Sequence, residues 1–298
     1  ITLMLSGGGG WLLAGRALRP IDSMTRTANR ISAEHLSQRL GVSGSDDELD
    51  RLAKTINDML DRIDSAVQEM RRFSADASHE LQTPLTILKG EIEVALLKQR
   101  SPSEYEQVLH SSLEEIDRIN KLVEGLLLLA RADVGALKLD LQPVDMAQLC
   151  RHLCDQLQPL ARQEEIELRY GDFNSVVIDG DDLQLQRMLT NLIDNGIKYT
   201  PAGGQVDVSV EKGDGEAVIR VQDSGPGFGA EDADKIFDRF HRAPQARQQH
   251  NKGPGLGLSI ARSIALAHHG KIEVESVPGS GSIFSVRIPC LGSAESGA

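Results

Sequence analysis

Ser74-Ala-Asp-Ala-Ser-His79-Glu-Leu-Gln-Thr83-Pro84-Leu-Thr86 is the stretch on which the reading of this chain turns. Counted as a helix at about 100° per residue, Leu81, Leu85, Leu88, Ile92 and Ala95 fall roughly 160–240° around the axis from His79. His79 therefore sits on the wet face of an apolar-seamed helix, where an imidazole serves no core. Thr83 follows one turn later on the same face. Pro84 removes the amide that would bond the carbonyl of Glu80, which predicts a bend beside His79. Taken alone, an exposed histidine next to a proline is ordinarily just a solvated side chain. What changes its meaning lies on both sides of it.

Before it, Leu49, Leu52, Ile56, Met59, Ile63, Ala66, Met70, Phe73 and Ala77 recur with strict three-four alternation. Repetition of that length predicts a coiled coil. At Ala77 the alternation fails, because Leu81 and Leu85 continue it by steps of four. Such a stutter locally unwinds a supercoil, and it falls on the turn that carries His79. Ser101-Pro102-Ser103 ends this helix and opens a second, whose seam is Leu109, Leu113, Ile116, Asn120, Val123, Leu127 and Ala130. Asn120 is its one polar member, a device that fixes register or partner number. Two antiparallel helices bury too little alone, so the pattern predicts a homodimer closing a four-helix bundle.

Further upstream, Pro20 opens a helix with Ile21, Met24, Ala28 and Ile31 on one side, and Gly41, Gly44 and Ser45 mark a loop. Asp46, Asp47 and Glu48 suit the start of the coiled-coil helix. Residues 1–15 carry no charge and include Leu3, Met4, Leu5, Trp11, Leu12 and Leu13. Fifteen helical residues reach only ~22 Å of the ~30 Å hydrocarbon core, so this run reads as the end of a truncated transmembrane helix. Arg16 and Arg19 follow it, as on a cytoplasmic flank. Basic residues after the apolar run, rather than before it, exclude a signal peptide.

The 298 residues suffice for about two domains. A net charge of −12 excludes nucleic acid as the main partner, since phosphate binding needs a basic surface. Aromatics are 3% of the chain, which leaves Leu, Ile, Val and Ala to fill the cores. Cys150 and Cys154 share a helix face, but with no second ligand cluster nearby they read, with Cys290, as reduced cysteines.

After Gly135 the pattern becomes an α/β alternation: strands at 137–141 and 166–170 flank a helix at 145–163. A helix at 181–197, strands at 205–211 and 216–222, a helix at 256–269 and strands at 271–276 and 281–288 follow. Between 223 and 255 lies a stretch too long for an ordinary connection, which predicts a lid. Four motifs cluster here. Asn191 and Asn195 lie one turn apart, followed by Lys198 and Tyr199. Asp223-Ser-Gly225-Pro-Gly227 ends a strand, Phe237 and Phe240 flank the lid, and Gly253-Pro-Gly255-Leu256-Gly257-Leu258 precedes a helix as a loop whose amides suit phosphates.

These motifs, in this order behind an exposed histidine on a coiled coil, resemble a bacterial two-component sensor histidine kinase. The resemblance implies a multidomain fold, with an α-helical HAMP coiled coil and a dimeric four-helix bundle followed by an α/β sandwich of the kind shared with Hsp90, gyrase and MutL. It divides the chain into the end of a transmembrane helix at 1–15, a HAMP linker at 16–68, a dimerisation and phosphotransfer domain at 69–135, an ATP-binding domain at 136–290 and a tail at 291–298. The run Arg72 to His79 is similar to that of metal-responsive sensor kinases.

The resemblance implies that ATP phosphorylates His79, that Glu80 is its acid/base partner, and that Thr83 helps remove phosphate from the partner regulator. It assigns Mg²⁺ to Asn195, the phosphates to Asn191 and Lys198, the base to Tyr199, and the adenine amino group to Asp223. Gly225, Gly227, Phe240, Gly253, Gly255, Leu256, Gly257 and Leu258 then shape the pocket and lid, with Arg242 near the γ-phosphate. The implied partners are a response regulator receiver domain, a second copy and the bacterial inner membrane, with the HAMP and kinase parts in the cytoplasm. The chemistry agrees: an ordinary imidazole titrates near 6.5, so its neutral lone pair is available to attack phosphorus at cytosolic pH. Gln82 stands where the family usually has Arg, and Gly196 where Ala is commoner. The rivals are a scaffold or phosphatase-only sensor and a non-kinase ATPase of the same fold. His268 and His269, before Gly270, read as a helix end.

Overall fold

The computed structural model describes residues 25, 37–42, 48–171, 175–242 and 253–291. The readings of 1–15, of the helix from Pro20, of the Gly44-Ser45 loop and of the tail after 291 fall outside them. No helix among the described residues is long and apolar enough to cross a membrane. The chain forms two compact units, Ile1–Ser78 and His79–Ala298.

In the first unit, the segment around Leu40 lies along helix α1, Glu48–Leu96. Asn57 clamps it, its amide accepting from Leu40 N at 2.8 Å and donating to Leu40 O at 3.0 Å. Helix α1 runs unbroken through Pro84, so the missing amide there does not end it.

The second unit opens with the rest of α1 and with α2, Pro102–Asp133. Ser101 starts α2 with a capping box: its hydroxyl accepts from Glu104 N, and the Glu104 carboxylate accepts from Ser101 N at 2.8 Å. The expected seam of α2 faces solvent throughout: Leu109, Leu113, Ile116, Asn120, Val123, Leu127 and Ala130 are all exposed. A second stripe of the same helix, Leu122, Gly125 and Leu129, is buried. The run Leu126 to Leu129 supplies apolar side chains to both faces.

Five strands form the main sheet in the order β2-β4-β5-β7-β6, with β2 (Glu167–Tyr170) parallel to β4 (Gln205–Gly213). β5 (Glu216–Asp223), β7 (Gly281–Pro289) and β6 (Lys271–Val277) continue it antiparallel. Helices α3 (Met146–Gln163), α4 (Asp182–Tyr199) and α6 (Gly257–Ala267) join their apolar faces to one core with the sheet, while α5 (Ala230–Ala233) is a single turn. The strand expected at 137–141 is absent. The chain pairs only from β1 (Gln142–Asp145), where β3 (Val177–Gly180), a strand the sequence reading missed, offers an antiparallel partner. Pairing follows the available edge, not the alternation of leucines. Cys150 and Cys154 are buried in α3, and burial pushes the Cys154 thiol up to about 12 and the Cys150 thiol further, so both behave as apolar packing groups.

His268 ends α6 and ties it to α4. Its Nδ1–H donates to Ile264 O at 2.8 Å, and its Nε2 accepts from Asp181 N at 3.0 Å. Acceptance by Nε2 requires the neutral ring, and burial holds its pKa below the ordinary imidazole value, against the raising effect of the bond to Ile264 O. As pH falls past about 6.5 the unfolded chain takes up the proton first, so stability present above that value is lost as pH falls through the lower folded value. Urea midpoints between about pH 7 and pH 5 are expected to fall more steeply for the parent than for His268→Gln.

Candidate functional site

Helix α4 sets up the site because its stripe Leu185, Met188, Leu189, Leu192, Ile193 and Ile197 is driven into the core. That burial turns Asn191, Asn195 and Lys198 to the opposite face. Gly196 belongs to the buried side, and a Cβ there would stand 3.2 Å from Val206 Cγ1, so the missing side chain lets α4 lie close on β4. Asp181 caps the helix, accepting from Gln184 N at 3.1 Å.

Asp223 ends β5 and is buried. Burial raises its pKa, against the lowering effect of hydrogen bonds from Gly225 N, at 2.8 Å, and from Ser282. Ser282 stands opposite it on β7. The backbone around the carboxylate is crowded. Gly281 has φ +91, and a Cβ there would lie 1.9 Å from Asp223 O; Gly227 has φ +59, with Val277 O 2.2 Å from its Cβ position. Both positions require glycine on two counts.

At the foot of the lid, Phe240 N donates to Gly255 O at 3.1 Å. Phe240 has φ +59 and Gly255 φ +75, so two left-handed residues close the loop. Phe237 packs edge-on to Phe284 at 6.4 Å, beneath the Arg262 guanidinium. The expected lid residues 243–252 lie outside those described.

These elements enclose a cleft of about 810 Å³. Of the residues expected from sequence, Asn191, Asn195, Lys198, Tyr199, Asp223, Gly227, Arg242, Gly253, Gly255, Leu256, Gly257 and Leu258 line it. Gly225 and Phe240 do not; the first holds Asp223, and the second packs against the core. Lys198 pairs with Asp194 at 2.6 Å. His79, Glu80 and Thr83 also lie off the cleft, on α1, where His79 is exposed and Thr83 Oγ1 donates to the His79 carbonyl at 3.2 Å.

Sequence reasoning missed Thr190, Asp194, Ser282, Phe284 and an entire wall from α2. Thr190 and Asp194 were readable as helical neighbours of the two asparagines. Ser282 was not, because it meets Asp223 only through strand order. Among the described residues no group of three His, Cys, Asp or Glu side chains is placed to hold a metal. The asparagine amides are among the oxygen donors of the cleft, beside the carboxylates of Glu114, Glu115, Asp117, Asp194 and Asp223.

The family described as "Histidine kinase-, DNA gyrase B-, and HSP90-like ATPase" matches residues 180–291, "His Kinase A (phospho-acceptor) domain" matches 69–135, and "HAMP domain" matches 12–65. The sensor protein CutS of Streptomyces coelicolor is 40% identical over 281 residues, 94% of this chain and 67% of CutS. The sensor histidine kinase CusS of Escherichia coli K12 is 36% identical over 271 residues, 91% of this chain and 56% of CusS. The chain thus spans between about half and two thirds of these relatives. A crystal structure of full-length ShkA in complex with AMPPNP matches 72% of this chain and 45% of its own, at 28% identity and a TM-score of 0.56.

Gly281→Ala combines a strained φ with backbone overlap, whereas a Cβ at Gly203 (φ +83) meets nothing within 4 Å. Urea denaturation is expected to give a loss of ~1–2 kcal/mol for Gly203→Ala, the conformational cost alone, and a clearly larger one for Gly281→Ala.

Proposed function

This chain belongs to the sensor histidine kinases, and we propose that it moves the γ-phosphoryl group of ATP to His79 and from there to an aspartate of a response regulator. One observation carries the reading. A single chain holds an exposed histidine on a helical hairpin together with a ligand-sized cleft built around Asp223, Asn191 and Asn195. The volume of about 810 Å³ lies within the usual range for small-molecule sites.

In this reading Asp223, oriented by its own donors Gly225 N and Ser282, accepts a hydrogen bond from the adenine amino group through a carboxyl oxygen. The neutral Nε2 of His79 attacks the γ-phosphorus, the bond to the bridging oxygen breaks, and ADP leaves with that electron pair. Glu80, beside it on α1, takes the imidazole proton. Receiver-aspartate attack on the phosphohistidine then regenerates His79, and Thr83 orients water when the phosphoryl group is instead removed from the regulator. Tyr199 packs against the base. The glycines from Gly253 to Gly257 approach the phosphates, together with Arg242 and Lys198.

The amide oxygen of Asn195 fits Mg²⁺, an ion that keeps most of its shell as phosphate oxygens and water, with Asn191 toward the phosphates. Bound there, Mg²⁺ supplies charge neutralisation during transfer. The uncharged run at 1–15 followed by Arg16 and Arg19 supports an inner-membrane anchor with the kinase on the cytoplasmic side. The exposed seam of α2 supports a second copy as its cover, for a row of solvated leucines is otherwise unfavourable.

Incubation with γ-labelled ATP and Mg²⁺ is expected to give acid-labile, base-stable label, absent in His79→Gln. Label of unchanged amount in that variant would sink the assignment, and no label in the parent would favour the scaffold or phosphatase-only rival. Leu113→Glu, in the middle of the exposed seam, is expected to shift the chain from dimer toward monomer in sedimentation equilibrium. Its fold is expected to persist, since Leu113 is 57% exposed within one chain.

A further inference from the structure

None of the nucleotide motifs announces the second wall of the cleft, which comes from α2. Its turns from Glu114 to Leu122 line the same space as Asn191, Asn195 and Lys198. The approach is close because of Gly125: a Cβ there would stand 3.0 Å from Ile260 Cδ1 and 3.9 Å from the Arg187 guanidinium. Leu122 and Leu129 are buried on either side of it, and at the end of α2 Asp133 accepts from Arg239. Together these contacts fix the rotation of α2 about its axis.

From Gly125, Lys121 and Arg118 follow at four and seven residues, on one helical face. From Arg187, α4 runs to Asn191, Asn195 and Lys198 at four, eight and eleven residues, likewise along one helical face. The two rows start from one contact and border one cleft. Lys121 forms no ion pair among the described residues, and Arg118 has only a 3.5 Å contact with Glu115. The same wall carries Glu114, Glu115 and Asp117, so an anion is met by Lys121 and the loosely held Arg118 individually and not by the net charge of the wall. Arg118 and Lys121 line the same cleft as Asn191, Leu256 and Gly257, and the loop before Gly257 is the one whose amides suit phosphates.

We propose that Lys121 and Arg118 are nucleotide-binding residues that contact the phosphate groups, so the site is shared between the hairpin and the α/β part. Binding of ATP and docking of α2 then favour each other by the same factor. The inference rests on the ATP reading above and adds the hairpin as part of the binding site.

The test is calorimetric titration of the whole chain with ATP and, separately, with adenosine, which lacks phosphates. In Lys121→Ala/Arg118→Ala, ATP affinity is expected to fall about tenfold while adenosine affinity stays within about twofold, as loss of charge-assisted contacts to phosphate requires. The exchanged pair Lys121→Arg/Arg118→Lys, which keeps both charges, is expected to retain ATP affinity within about threefold. ATP affinity within about twofold of the parent in the double alanine variant overturns the proposal, as does an equal loss for adenosine, which would mark a packing effect. A parent chain that binds neither ligand overturns the ATP reading itself, and this inference with it.

Discussion

Everything at the site depends on how tightly α4 is pressed against the sheet. Six large apolar side chains of that helix are at most 1% exposed, and the approach to β4 is tight at Gly196, where a Cβ would stand 3.2 Å from Val206 Cγ1. Rotating a helix held in this way would bring polar groups into a close-packed interior, at a cost of several kcal/mol. Asn191, Asn195 and Lys198 are therefore fixed in direction by residues that never touch a ligand. The His268 bridge to Asp181 adds a polar tie at the other end of the same helix.

Helix α2 solves a different problem, because it has two apolar stripes and only one is covered within a chain. Leu122, Gly125 and Leu129 belong to the core shared with the α/β part, while Leu109, Leu113, Ile116, Val123 and Leu127 face outward. The covered stripe holds the ATP-binding part against the hairpin. The uncovered one is where a second copy fits the proposed bundle. One helix thus links assembly to the nucleotide cleft, and at Gly125 it comes close enough that a Cβ would stand 3.0 Å from Ile260 Cδ1.

Several features of the site were legible before any coordinates. The asparagine pair, Asp223 with its glycines and the lid-foot glycines are local patterns, each contained within one element or turn, and nearly all of them meet in the cleft. Gly225 and Phe240 were readable as motif members but not as supporting residues, because whether a side chain faces a cavity or holds its neighbour depends on packing around it. The strand misplaced at 137–141 has the same origin: alternating leucines satisfy a strand pattern, but a strand also needs an edge to pair with, and that edge is β3.

The sequence by itself determined the helical hairpin with His79 on its polar face, the α/β alternation after Gly135, and the residue types at both ends of the cleft. These follow from periodicity and from glycine and capping chemistry, which act over one or two turns of chain. Only the tertiary structure decided which stripe of α2 is covered, that Ser282 stands beside Asp223, and that the wall bearing Arg118 and Lys121 borders the same cleft as Asn195. Each of these joins residues far apart in the chain, and such contacts are set by how the apolar faces close on one another.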